Sequence, residues 1–144
     1  MKKIYLASDH AGVEFKSFCG EYFKNNGYEV VDLGPETSDR VDYPDYAKKL
    51  CKKVLEDVGS EGCLICGTGI GMSMSANRFR GIRGALCHDA YTAGITKAHN
   101  NSNVLVMGAR TTGLATAESI MDAWINNEFE GGRHEDRIKK IELD

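Results

Sequence analysis

The sequence predicts an α/β fold, a doubly wound sheet of five parallel strands with flanking helices, and three observations carry it. Short apolar runs recur along the 144 residues, stretches with helical spacing separate them, and most runs end at a glycine or a polar residue. Uninterrupted apolar runs of this length mark strands buried on both faces. Strand–helix alternation then requires a parallel sheet joined by right-handed crossovers.

The five runs are "KIYLAS", "YEVVDLG", "GCLICG", "RGALC" and "NVLVMG". After the first, Phe15, Phe18, Cys19, Tyr22 and Phe23 recur at helical spacing and line one face. After the second, Ala47, Leu50, Cys51, Val54, Leu55 and Val58 repeat the pattern. Gly67, Gly69 and Gly71 follow the third run and lead into a helical stretch from Met72 to Phe79. Tyr91, Ile95 and Ala98 form the stripe between the fourth and fifth runs, and Ala117, Ile120, Met121, Trp124 and Ile125 the one after the fifth. A final helix is expected near residues 134–142. With two prolines and no linker, the chain reads as a single domain over 1–144, Rossmann-like in architecture.

Bulk properties exclude several function classes. A net charge of −3 provides no overall basic field for nucleic acid or an anionic membrane. No run approaches the ~20 apolar residues of a membrane span, and the apolar run near the start is too short for a signal peptide. Five cysteines at scattered spacing argue against a disulfide framework, so a reducing, cytoplasmic setting is expected.

In open α/β sheets, ligands bind beyond the carboxyl ends of the strands. Those ends carry Ser8-Asp9-His10, Cys66 with its glycines, Cys87-His88-Asp89, and Gly108-Ala109-Arg110. Asp9 and Asp89 are also natural helix caps. Capping explains neither His10, Cys66 nor Arg110.

The loop "CGTGIG" is neither a P-loop nor the dinucleotide fingerprint. Its glycines suit either a bare strand-to-helix turn or a nest of N–H groups aimed at an anion. Cys63 and Cys66 form a C-x-x-C pair, but strand side chains alternate faces, so the two cannot chelate one metal from within the strand. Cys63 and Cys87 are expected in the core. Cys66, at a strand end beside a helix start, sits where thiols become reactive. His99 closes a helix, where a histidine often serves only the helix dipole. Arg133 and Arg137 share a face of the last helix and could grip a phosphate or lace solvent-exposed ion pairs.

Taken together, "SDHAG", "DYPDYA", "ICGTGIGMSMSANRFRGIRGA", "HNNSNVL" and "EGGRHEDRI" resemble the ribose-5-phosphate isomerase B family of sugar-phosphate isomerases, over essentially the whole chain and in the same order. The resemblance implies an aldose–ketose isomerase acting on ribose 5-phosphate and ribulose 5-phosphate without metal or organic cofactor. It implies Cys66 as the base and His99 as the acid that opens the sugar ring, with Asp9 and Thr68 nearby. Some members place a glutamate where this chain has Met72, so the chain resembles the cysteine type. The segment Gly67, Thr68, Gly69, Ile70, Gly71 is implied as the anion hole. His10, Arg110, Arg133 and Arg137 match phosphate- or substrate-binding positions, and Tyr43 and Asn100 line the site. A homodimer or larger homo-oligomer is implied, with each site shared between subunits. The alternatives are another sugar phosphate, allose 6-phosphate or galactose 6-phosphate, and a non-catalytic phosphate- or nucleotide-sensing module.

Overall fold

The structure, a computed structural model, describes residues 1–143. In chain order the elements are β1 (Lys2–Ser8), a 3-10 turn (His10–Gly12), α1 (Val13–Asn25), β2 (Tyr28–Asp32), α2 (Tyr43–Glu56), β3 (Glu61–Cys66), α3 (Ile70–Ala76), β4 (Gly84–Leu86), α4 (Ala90–Asn100), β5 (Val104–Gly108), α5 (Leu114–Ile125) and α6 (Arg133–Lys139). The strands form one parallel sheet in the order β2-β1-β3-β5-β4. This is the expected α/β architecture, with a helix at the carboxyl end.

The alternation of strand side chains sorts the core into two layers. Ile4, Leu6, Cys63, Ile65, Leu105 and Met107 face one way, against α1, α5 and the Ala93 side of α4. Tyr5, Ala7, Leu64, Cys66, Val104 and Val106 face the other way, against α2 and α3. Cys63 and Cys66 therefore point to opposite faces, as the period of two requires. Only β1, β3 and β5 are buried along most of their length. The edge strands β2 and β4 are half-exposed, so their apolar runs are not buried on both faces as the sequence pattern implied.

Three boundaries differ from expectation. Helix α2 ends at Glu56, because the Asp57 N–H closes on the Lys53 carbonyl and Gly59 turns the chain at φ +89°. Val58 thus lies beyond the helix, 96% exposed, and Leu55 sits at the rim of the stripe rather than in it. Helix α3 begins at Ile70, two residues earlier than the apolar pattern suggested, and stops at Ala76, where Asn77 caps it and bonds to Gly84. Helix α6 begins at Arg133 and ends at Lys139, short of residue 142.

Buried charge organises the amino edge of the sheet. The Glu61 carboxylate, at the start of β3, accepts from the Lys97 ammonium, from Tyr28 Oη at 3.0 Å and from Trp124 Nε1 at 3.1 Å. Lys2 lies at 3.5 Å, and Lys97 also stands 4.7 Å above the Trp124 ring. A buried ion is tolerated only when paired and hydrogen-bonded, and this one is both. The network ties α4 and α5 to the foot of β3. Burial and Glu61 together hold the Tyr28 phenol well above its ordinary range, so it stays a donor.

Lys97→Met removes the cation nearest to a buried carboxylate. Breaking such a pair costs about 3–5 kcal/mol, and urea unfolding should show a loss of that order. An unchanged midpoint would mean that Glu61 is satisfied without Lys97.

Candidate active site

The carboxyl edge of the sheet is built around the exit from β3. Cys66 is 5% exposed, and its Sγ accepts the Gly69 N–H at 3.2 Å. That contact is stronger to a thiolate than to a thiol, because a charged acceptor roughly doubles a hydrogen bond. The geometry depends on Gly69. Its φ of +79° disfavours any side chain, and a Cβ there would stand 2.5 Å from Leu86 Cδ1 and 3.0 Å from the Met107 carbonyl carbon. Thr68 Oγ1 accepts the Ile70 N–H at 3.2 Å as α3 begins. The first N–H groups of α3 have no partner within the helix. Gly71 allows the Tyr43 ring to approach, since a Cβ would lie 2.5 Å from it.

Neighbouring strands bring the other groups. Ala109 N donates to Cys66 O at 2.8 Å and Arg110 N to Gly67 O at 2.9 Å, so the turn after β5 tracks the turn after β3. The Arg110 guanidinium reaches over Gly67, with Nη1 3.4 Å from where a Cβ would be. Asp9 N donates to Ile65 O at 3.1 Å, and the Asp9 carboxylate caps the following turn at Ala11 N, 3.0 Å away. His10 Nδ1 lies 3.2 Å from the Val41 amide nitrogen and 3.3 Å from the Val41 carbonyl oxygen, and its tautomer decides which of the two it bonds. Asp9, His10, Tyr43, Cys66, Gly67, Thr68, Gly69, Ile70, Gly71 and Arg110 thus form one group.

The other thiols are of a different kind. Burial pushes Cys51 up to about 12 and Cys87 up to about 11, and a thiol–thiol contact with Cys19 in a fully enclosed setting raises Cys63 as well. Met72 is fully buried in the layer under α3, so it offers nothing to the site.

His99, Arg133 and Arg137 form a second group elsewhere, and Asn100 follows His99 at the end of α4, facing a cavity lined by Arg83, Gly84 and Thr96. Helix α4 leaves the carboxyl end of β4 and returns to the amino end of β5. Its last turn carries His99 next to Lys97, which reaches Glu61 at the foot of β3. Cys66 is five residues further along that strand, roughly 16 Å at ~3.3 Å per residue. It also faces the opposite layer from α4. Within one chain, His99 therefore cannot meet Cys66, and Asp9 and Thr68 are not its neighbours. Arg133 and Arg137 are exposed on α6, which packs against the end of α4 through a bond from Glu130 N to Ala98 O at 2.9 Å.

Two members of this second group were not singled out in the sequence. His134 is buried, and its ring stacks on His99 with centroids 4.2 Å apart and planes 14° from parallel. Glu130 Oε1 stands 3.6 Å from His99 Nε2 and 3.7 Å from His134 Nε2. No periodicity separates His134 from Glu135 and Asp136, which lie between the same two arginines and are exposed.

The family model described as Ribose/Galactose Isomerase matches residues 4–141. Ribose-5-phosphate isomerase B of Escherichia coli is 43% identical over 98% of this chain and 95% of its own length. A putative sugar phosphate isomerase of Bacillus subtilis is 46% identical over 96% and 94%. Among solved structures, a ribose 5-phosphate isomerase from Thermotoga maritima superposes with a TM-score of 0.93 at 47% identity, covering 97% of each chain. The type B enzyme of Trypanosoma brucei gives 0.94 at 40% identity, covering 98% of this chain and 97% of its own.

The contrast among the thiols is directly measurable. Iodoacetamide applied to the native protein should label Cys66 first, with Cys19, Cys51, Cys63 and Cys87 labelled only after unfolding. Peptide mass mapping that found Cys51 or Cys87 labelled as fast as Cys66 would contradict the reactive assignment.

Proposed function

The chain belongs to the ribose/galactose isomerase family and interconverts ribose 5-phosphate and ribulose 5-phosphate; we propose that it does so with Cys66 as the base, in a site completed by a second copy of the chain. The observation that carries the proposal is the Gly69 N–H aimed at Cys66 Sγ at the rim of the glycine loop.

The open aldose places C2 beside the sulfur. The thiolate takes the C2 proton, the C2–H electron pair becomes the C1–C2 double bond, and negative charge moves to the carbonyl oxygen. Loop N–H groups other than those of Gly69 and Ile70, which bond to Cys66 Sγ and Thr68 Oγ1, would face that charge. A preorganised donor of this kind is worth ~2.7–4 kcal/mol in other enzymes. The proton on the C2 hydroxyl passes to the C1 oxygen as the C2 carbonyl forms, and the same sulfur returns its proton to C1, giving the ketose with no net proton or oxidant consumed. This transfer works best when the base has a pKa close to the working pH.

Ribose 5-phosphate is mainly cyclic and must open first. His99 of a second copy delivers a proton to the ring oxygen as the C1–O bond breaks, while the anomeric hydroxyl gives its proton to water. Arg133 and Arg137 of that copy, with His10 and Arg110 of the first, hold the phosphate. Phosphate binding energy can then keep C2 against the base. The separation of the two groups supports a homodimer or larger homo-oligomer, because neither group alone contains both a base and a ring-opening acid. Among the described residues no helix is long and apolar enough to cross a membrane. Free cysteines at all five positions support a cytoplasmic location.

Cys66→Ala is expected to lower kcat for ribose 5-phosphate about a thousandfold. Its calorimetric Kd for the substrate should stay near that of the unaltered chain. Turnover close to normal would remove Cys66 as the base. Arg137→Ala should act mainly on KM, raising it roughly tenfold. An unchanged KM would remove this arginine from phosphate binding.

A further inference from the structure

His99, Glu130 and His134 form a cluster of titratable side chains whose full membership the proposed chemistry does not use. Its ligand atoms lie within 4.8 Å of one another, a spacing that a metal ion could exploit. Ring geometry opposes that use. Imidazole lone pairs lie in the ring plane, and two planes 14° from parallel with centroids 4.2 Å apart do not converge on one point. A zinc ion would need both nitrogens at ~2.0–2.1 Å.

The arrangement suits a different task. We propose that His134 is a positioning residue for His99: its buried ring forms the wall on which the His99 ring lies flat, and both present Nε2 to the single Glu130 carboxylate. The proposal rests on His99 as the ring-opening acid and extends it. A proton donor must be held within hydrogen-bond reach and angle of the atom it serves, and an imidazole at the exposed end of a helix turns freely about two torsions. Stacking fixes the ring plane. The shared carboxylate fixes which ring edge, the one carrying Nε2, is turned toward Glu130. His99 is 36% exposed on its side chain, against 10% for His134, so His99 is the member that a sugar can reach.

Burial holds His134 below the usual histidine range, and His99, Arg133 and Arg137 push in the same direction, against Glu130 alone. His134 therefore remains a neutral ring. The same side chain packs α6 against the end of α4, so the ring-opening group and the phosphate arginines move as one unit.

The test separates ring opening from proton transfer at carbon. Ribulose 5-phosphate is already open, so exchange of its C1 hydrogen with D2O needs Cys66 but no ring-opening acid. His134→Ala is expected to lower kcat for ribose 5-phosphate about tenfold or more, while deuterium wash-in at C1 of ribulose 5-phosphate stays within about twofold of normal. His134→Phe keeps the stack and should recover most of the lost kcat. Parallel loss of both reactions, or full aldose turnover in His134→Ala, would overturn the proposal. His99→Ala in the same assays keeps the two layers apart. If it uncouples exchange from aldose turnover and His134→Ala does not, only the positioning role falls. If His99→Ala itself fails to uncouple them, the ring-opening assignment falls.

Discussion

In a parallel sheet every crossover helix must return to the edge from which the next strand starts, and this constraint shapes the rest of the molecule. Helix α4 begins beside the carboxyl ends of the strands and ends at their amino ends. Whatever its last turn carries is delivered a sheet's length away from Cys66. In the proposed mechanism the chain therefore holds two incomplete half-sites, Cys66 with its amide-lined loop at one end and His99 with two arginines at the other, and a second copy supplies the missing half.

Each half is fixed by a different kind of force. At the carboxyl edge the precision is steric and backbone-borne. Gly69 lies where a side chain would collide with Leu86 and Met107, and its N–H reaches the sulfur because nothing intervenes. At the amino edge the precision is electrostatic. Glu61 gathers Lys97, Tyr28 and Trp124 and so anchors α4 and α5 to the foot of β3. Lys97 stands two residues before His99, so the Glu61 network sets where His99 emerges. Buried ion pairs often add little net stability against an apolar substitute, but they tolerate few alternative geometries. Here that intolerance orders the end of a helix.

Much of this was readable from residue patterns. Alternation along "GCLIC" placed Cys63 and Cys66 on opposite faces, and Asp9 and Asp89 do cap the turns that follow them. His99 lies four residues before the fifth apolar run, which places it at the amino edge, whereas the family resemblance set Asp9 and Thr68 near it. What stayed hidden were buried charges. Lys16 is 2% exposed, reaching Asp32 at 2.5 Å and the Pro35 carbonyl at 2.9 Å. Periodicity assigns a lysine to solvent, because its partners come from a loop whose path no local pattern records. Glu61 and Lys97 escaped for the same reason. His134 escaped because its neighbours Arg133 and Arg137 dominate the reading of that helix. Val58 erred in the other direction: its spacing continued the stripe of α2, but Gly59 had already turned the chain.

The most direct test of the shared site is complementation between two defective chains. Cys66→Ala and His99→Ala, each nearly inactive alone, are co-expressed so that mixed assemblies form. In a two-fold symmetric dimer, half of the assemblies are mixed, and each mixed dimer contains one intact site and one doubly defective one. The account predicts recovery of about a quarter of normal turnover on ribose 5-phosphate. Activity no higher than that of the separate variants, in assemblies shown to be mixed, would place base and acid within a single chain and contradict it.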